Sequence, residues 1–176
     1  MKKYRLIAAA ICIVLCFTAC KKAKSEPDST KAPKLTENPK TDFEYEVSND
    51  GTGIRITKYI GTSQNVVVPT EIDGLTVISL KETLEEGSQI YKGPFAGSNV
   101  QTVVLPEGLQ SIGSSAFVDC SQLTQVTFPK SLQYLSGWAF ENCVKLDNVD
   151  LSETQVEIIW ERTFRGCTGL TQIQLP

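Results

Sequence analysis

The chain has 176 residues, with 17 Lys and Arg against 20 Asp and Glu, and no histidine. The lack of histidine excludes Ser–His and Cys–His nucleophiles and the usual histidine-rich zinc centres, whereas a carboxylate-pair hydrolase needs none and stays open. Charge is unevenly placed: residues 43–176 hold 8 basic and 16 acidic side chains, a net of −8, which repels nucleic acid because such binding rests on cationic contacts to phosphate.

Lys2, Lys3 and Arg5 precede an uninterrupted apolar run from Leu6 to Phe17. That run is shorter than the ~20 residues that span a bilayer as a helix, so it reads as the core of a signal peptide over residues 1–19. Its end, Phe17-Thr18-Ala19-Cys20, resembles a bacterial lipobox, with Phe17 where leucine is usual. The resemblance implies a diacylglyceryl group on the Cys20 thiol and a chain anchored by lipid in a bacterial cell envelope. Ordinary secretory cleavage fits less well, because it wants a small side chain at Phe17. Cys12 and Cys16 leave with the signal.

Residues 20–42 then change composition: lysine, proline, serine and threonine dominate, and Leu35 is the only large aliphatic side chain. Such a stretch buries too little surface to offset chain ordering and is expected to be a disordered tether. As a flexible coil it holds the folded part about 25 Å from the membrane. Lys21, Lys22 and Lys24 either rest on anionic headgroups or are simply solvated.

Phe43 to Val47 alternates apolar and polar residues, a Ser48–Gly53 turn cluster follows, and Ile54 to Thr57 alternates again, which predicts a β-hairpin. Placed over residues 43–64, it serves as the cap that covers the first rung of a repeat array. Asn65 to Val68 reads as the first strand, followed by an Asp73-Gly74 turn and Leu75 to Leu80. Residues 81–93 break the register and form an acidic insertion with Glu82, Glu85, Glu86, Ile90 and Tyr91, either a functional loop or an inert elaboration of the first repeat.

From Val100 the chain repeats itself. Phe117, Phe140 and Phe164 fall 23 and 24 residues apart, as do Cys120, Cys143 and Cys167. Val100, Val103 and Leu105 match Leu123, Val126 and Phe128, then Leu146, Val149 and Leu151, then Leu170, Ile173 and Leu175. This L-x-x-L-x-L pattern predicts a short strand with alternate side chains inward, and the prolines at Pro106, Pro129 and Pro176 suit the place where pairing stops. Pairs three apart, such as Leu109 with Ile112 and Leu132 with Leu135, predict a short helical turn on the outer side. The extra residue of the third copy lies between Leu151 and Val156, where a turn absorbs it. The fold predicted for residues 65–176 is therefore an α/β-type, mostly β solenoid of ~23-residue units.

The run P-x-x-L-x-x-I-G-x-x-A-F-x-x-C-x-x-L resembles the BspA-type leucine-rich repeat of bacterial surface proteins, over residues 43–176 and most strongly from Val100 onward. Departures are Ser152 in place of the proline and Trp160 in place of Gly113. The resemblance implies a surface-exposed, ligand-binding or adhesive role rather than catalysis, with no cofactor.

Four features remain to be placed. The repeat cysteines share one register and should stack as reduced, structural side chains, with one disulfide between adjacent rungs as the alternative; their spacing matches no zinc cluster. Outward strand positions Thr102, Val104, Gln125, Thr127, Asn148, Asp150, Gln172 and Gln174 form a polar ladder, either the ligand-binding face for a protein or glycan or a solvated surface. Trp138 and Trp160, in the outer turns, are binding hot spots or inter-repeat packing. The chain stops at Pro176 directly after a strand, so a truncated frame, a fragment, or an edge used for self-association is expected. A lipid-anchored surface binding protein leads these readings; an envelope scaffold comes second, and an envelope glycan enzyme third.

Overall fold

The computed structural model describes residues 35–84, 87 and 91–176. The expected signal peptide, Cys20 and the expected tether through Lys34 lie outside the described residues, as do Glu85, Glu86 and Ile90 of the insertion.

The inward positions of the first three copies behave as alternation requires, with Phe128 half-buried, whereas in the last copy Leu170 is half-buried and Ile173 and Leu175 are 41% and 59% exposed. Val100, Val103, Leu105, Leu123, Val126, Leu146, Val149 and Leu151 are all buried, and their strands β8 (Thr102–Val104) and β10 (Gln125–Thr127) pair in parallel, Val103 opposite Val126. A shift of 23 residues thus moves the chain one rung along the stack. β3 (Asn65–Val67) continues this ladder at one end, and β12 (Asn148–Asp150) pairs in parallel with β13 (Gln172–Gln174) at the other. Together these strands form wall one.

The expected helical turn is replaced by a second wall. Leu109 and Leu132 close single turns by donating their N–H groups to the carbonyls of Pro106 and Pro129, at 3.2 Å in both cases. The chain then straightens into two-residue strands, β9 (Ser111–Ile112) and β11 (Tyr134–Leu135), which pair in parallel with each other, β9 pairing on its other side with β5 (Leu75–Leu80). Spacing of three arises because the turn and the strand each contribute one inward residue. The backbone N–H groups of Gln110 and Gln133 reach sideways to Ile78 and Gln110 on the preceding rungs, at 2.8 and 2.9 Å, instead of along a helix.

The hairpin of β1 (Phe43–Val47) and β2 (Ile54–Tyr59) forms as predicted, and β2 joins wall two by pairing in parallel with β5. A two-residue strand, β4 (Glu71–Ile72), turns back on β5. The insertion carries an antiparallel pair, β6 (Thr83–Leu84) with β7 (Tyr91–Lys92).

The compact unit that holds the repeats begins at Leu35, so residues 35–42, expected in the tether, belong to it. Asn38 donates its N–H to the Val67 carbonyl at 2.8 Å, and its side-chain oxygen accepts the Val67 N–H at 2.9 Å. Glu37 accepts from the Thr70 hydroxyl, and Lys40 pairs with Asp73. Polar side chains hold this segment, so hydrophobicity gave no sign of it. The contacts satisfy the edge of β3, which would otherwise present unpaired backbone groups.

Between the walls runs a column of aromatic rings. Tyr59, Phe95, Phe117, Phe140 and Phe164 stack at successive centroid separations of 5.2, 4.8, 4.9 and 5.5 Å. At the same corner Phe95, Phe117 and Phe140 donate their N–H groups to carbonyls of the next rung, at 2.9, 2.7 and 2.9 Å. The third copy accommodates its extra residue as expected: Thr154 is buried and its hydroxyl donates to the Leu151 carbonyl at 2.8 Å. Ser152 replaces proline by donating both N–H and hydroxyl to the Asp150 carboxylate.

Candidate functional site

Alternation along wall one turns its polar residues outward, and pairing brings them into rows. Thr102 lies opposite Gln125 and Val104 opposite Thr127; Asn148 lies opposite Gln172 and Asp150 opposite Gln174. Thr102 and Val104 are half-buried and the other six are exposed. The first row extends to Asn65, whose side-chain oxygen accepts the Thr102 hydroxyl at 2.9 Å.

The eight residues do not form one continuous ladder. β12 does not pair with β10, so wall one divides into β3–β8–β10 and β12–β13. A groove of about 590 Å³ opens at the division, with Thr124 to Phe128 on one side and Asp147, Asn148, Asp150, Glu153 and Thr154 on the other. Phe128 stands here at an inward position where the neighbouring rungs have Leu105 and Leu151, with its ring edge-on to Phe140 at 5.9 Å. The larger ring, half-buried on the groove floor, coincides with the opening.

The groove is acidic but internally organised. Asp150 is held below the usual carboxylate range by the Ser152 hydroxyl and N–H. Asp147 accepts the Thr171 hydroxyl at 3.0 Å, and Glu153 pairs with Lys130. Among the described residues no group of three His, Cys, Asp or Glu side chains converges as metal ligands.

Cys120, Cys143 and Cys167 form the expected column, and all three are free thiols. Each donates to a carbonyl one rung back: Cys120 to Phe95 at 2.9 Å, Cys143 to Phe117 at 3.1 Å and Cys167 to Phe140 at 3.0 Å. Burial pushes the Cys120 thiol up to about 11. Cys143 is also raised, by its hydrogen bond with Cys167 and by burial. Cys120 and Cys143 are thus protonated structural groups, whereas the hydrogen bond with Cys143 lowers the half-buried Cys167.

The two tryptophans separate. Trp138 is half-buried with the Arg162 guanidinium 5.7 Å above its ring, so it packs between rungs. Trp160 is 57% exposed on wall two. Beside it stand Tyr134 and Ile158, surface residues that the repeat pattern does not single out because no other copy has an aromatic residue at Tyr134's position.

Residues 88–176 match the sequence profile described as the BspA-type leucine-rich repeat region, six copies. No curated protein matches the chain. Among solved structures, a leucine-rich repeat protein of T. pallidum shares 27% identity over 80% of this chain and 72% of its own, with a TM-score of 0.61. A leucine-rich repeat protein of Bacteroides capillosus shares 21% identity over 77% and 94%, with a TM-score of 0.57. A leucine-rich cell surface protein of Faecalibacterium prausnitzii shares 18% over 81% and 43%, with a TM-score of 0.55. The profile covers half of the sequence and the solved structures repeat its stacked architecture: the chain belongs to the BspA-type leucine-rich repeat family.

Proposed function

We propose that this chain is a lipid-anchored, non-catalytic binding protein of the bacterial cell surface, held by Cys20 and adhesive toward a protein partner through wall one. The observation that carries the reading is the groove between β10 and β12, where seven exposed polar residues on the two strands and the segments beside them line an opening of about 590 Å³. Repeat folds bind by presenting such a rigid face, since each residue is fixed by its rung and little order is lost on association. Amide, hydroxyl and carboxylate groups in the groove favour a partner surface that supplies N–H donors and basic side chains. The family and the fold support a binding role, and the lipobox-like end supports the anchor.

The test is adhesion of cells carrying the wild-type chain to immobilised host-cell and bacterial surface proteins, compared with the variants Gln125→Arg and Asn148→Arg. Both positions are exposed, so folding is preserved while the groove gains bulk and repulsive charge. Adhesion falls by about tenfold or more if the groove binds the partner. Equal adhesion by the variants contradicts the assignment.

A further inference from the structure

Wall two carries a second surface, independent of the groove just described. Parallel register places Arg55, Ser79, Ser111 and Tyr134 in one outward row, and the Leu135–Ile159 bridge adds Ile158 to it. Over the middle rungs this face is floored by small residues: Ser79, Ser111, Gly113 and Ser136 line a cleft of about 400 Å³. Tyr134 also lines a second cleft of about 300 Å³, together with Trp160, Gln133 and Glu157. Tyr134 lines both clefts, so the two adjoin at its ring as a trough across the strands.

Its chemistry is specific. Tyr134, in β11, is 64% exposed, and Trp160, directly after the Leu135–Ile159 bridge, is 57% exposed. Among the described residues, the Tyr134 hydroxyl, the Trp160 indole N–H, the Gln133 amide and the Glu157 carboxylate make no side-chain hydrogen bond. The cations at the far end are already engaged: Lys81 pairs with Glu46 at 2.6 Å, and Arg55 lies 3.7 Å from the same carboxylate.

We infer that this trough binds a neutral oligosaccharide, with Tyr134 and Trp160 as stacking platforms for sugar rings. A planar aromatic side chain matches the C–H face of a pyranose, and free amide, hydroxyl and carboxylate groups match its hydroxyls. An anionic sugar is disfavoured because the nearby cations are paired and Glu157 repels it. A peptide is disfavoured because Ser79, Ser111 and Ser136 give the larger cleft a hydroxyl surface in place of the apolar core of a protein interface.

The purified full chain, applied to an array of neutral oligosaccharides of two to six hexose or N-acetylhexosamine units, tests this. The wild type is retained on at least one neutral sugar, and titration with that sugar changes tryptophan fluorescence. Tyr134→Ala and Trp160→Ala each weaken retention by about tenfold with an unchanged melting temperature, whereas Trp160→Phe keeps most of it. Asn148→Arg, on wall one, leaves sugar binding intact, which separates this site from the groove. Retention of no neutral sugar at millimolar concentration overturns the inference, as does equal retention by Trp160→Ala. Loss of protein adhesion without any sugar binding in Trp160→Ala makes the trough a protein interface and overturns it too.

Discussion

Phe117 and Phe140 lie face to face, their ring centroids 4.9 Å apart and their planes 5° from parallel. The contact joins equivalent residues of successive copies, so sequence period becomes physical stacking. Both rings are fully buried, and each has a further ring on its other side. Phe117→Ala should therefore cost about 3–5 kcal/mol, from lost burial and from a cavity that two rigid neighbours prevent from collapsing. Phe164, only partly buried, should tolerate alanine better. Urea unfolding of both variants checks the order.

The cysteine column makes a prediction in alkali. Cys120 titrates near 11 in the folded unit against an ordinary 9.0, chiefly through burial. A raised pKa means that the folded state holds its proton longer, so this contribution to stability is fully present below about pH 9 and is lost as pH rises through 11. Cys120→Ser should flatten the fall in melting temperature over that window. The serine is also tolerated sterically, since Ser98 stands at the equivalent place one rung earlier, 3.5 Å from the Cys120 sulfur. At pH 8, Cys120 and Cys143 should resist a thiol reagent until the protein is unfolded.

A second pH effect lies at the cap. Ser48, buried, accepts the N–H groups of Gly53 at 3.0 Å and Thr52 at 3.2 Å, and donates to Asp50 at 2.5 Å. That hydroxyl, then the Thr52 N–H, lowers the Asp50 carboxyl from 3.8 to about 2. A depressed carboxyl stabilises above its unfolded pKa and loses that effect as pH falls from 3.8 through about 2. Asp50→Asn should remove this acid dependence. Ser48→Ala, which orphans buried donors, should cost about 1–3 kcal/mol by denaturant unfolding at neutral pH.

Much of this was legible in the chain because repetition amplifies weak signals. One Leu-x-x-Leu pair is ambiguous, but Val103, Val126 and Val149 at one register fix an inward row. The second wall was hidden because β9 and β11 have two residues each, too few for alternation to show against a spacing of three. One missed signal was available: Gly97, Asp119, Asn142 and Gly166 share a register and all have positive φ, between 59° and 67° for the first three and 73° for the last. Glycine, aspartate and asparagine are the residues that tolerate this region, so a column of them marks a tight turn and not a helix. The groove and the trough were not legible. One depends on a missing ladder between β10 and β12, and the other on which outward residues the two walls bring side by side.

Protease shaving of intact cells tests the central claim most directly, with wild type compared with Cys20→Ser. A lipid-anchored surface protein has its repeat unit cleaved from whole wild-type cells, and the serine variant is released into the medium or periplasm. A repeat unit that stays protected until the cells are broken contradicts the account and places an envelope scaffold in its stead.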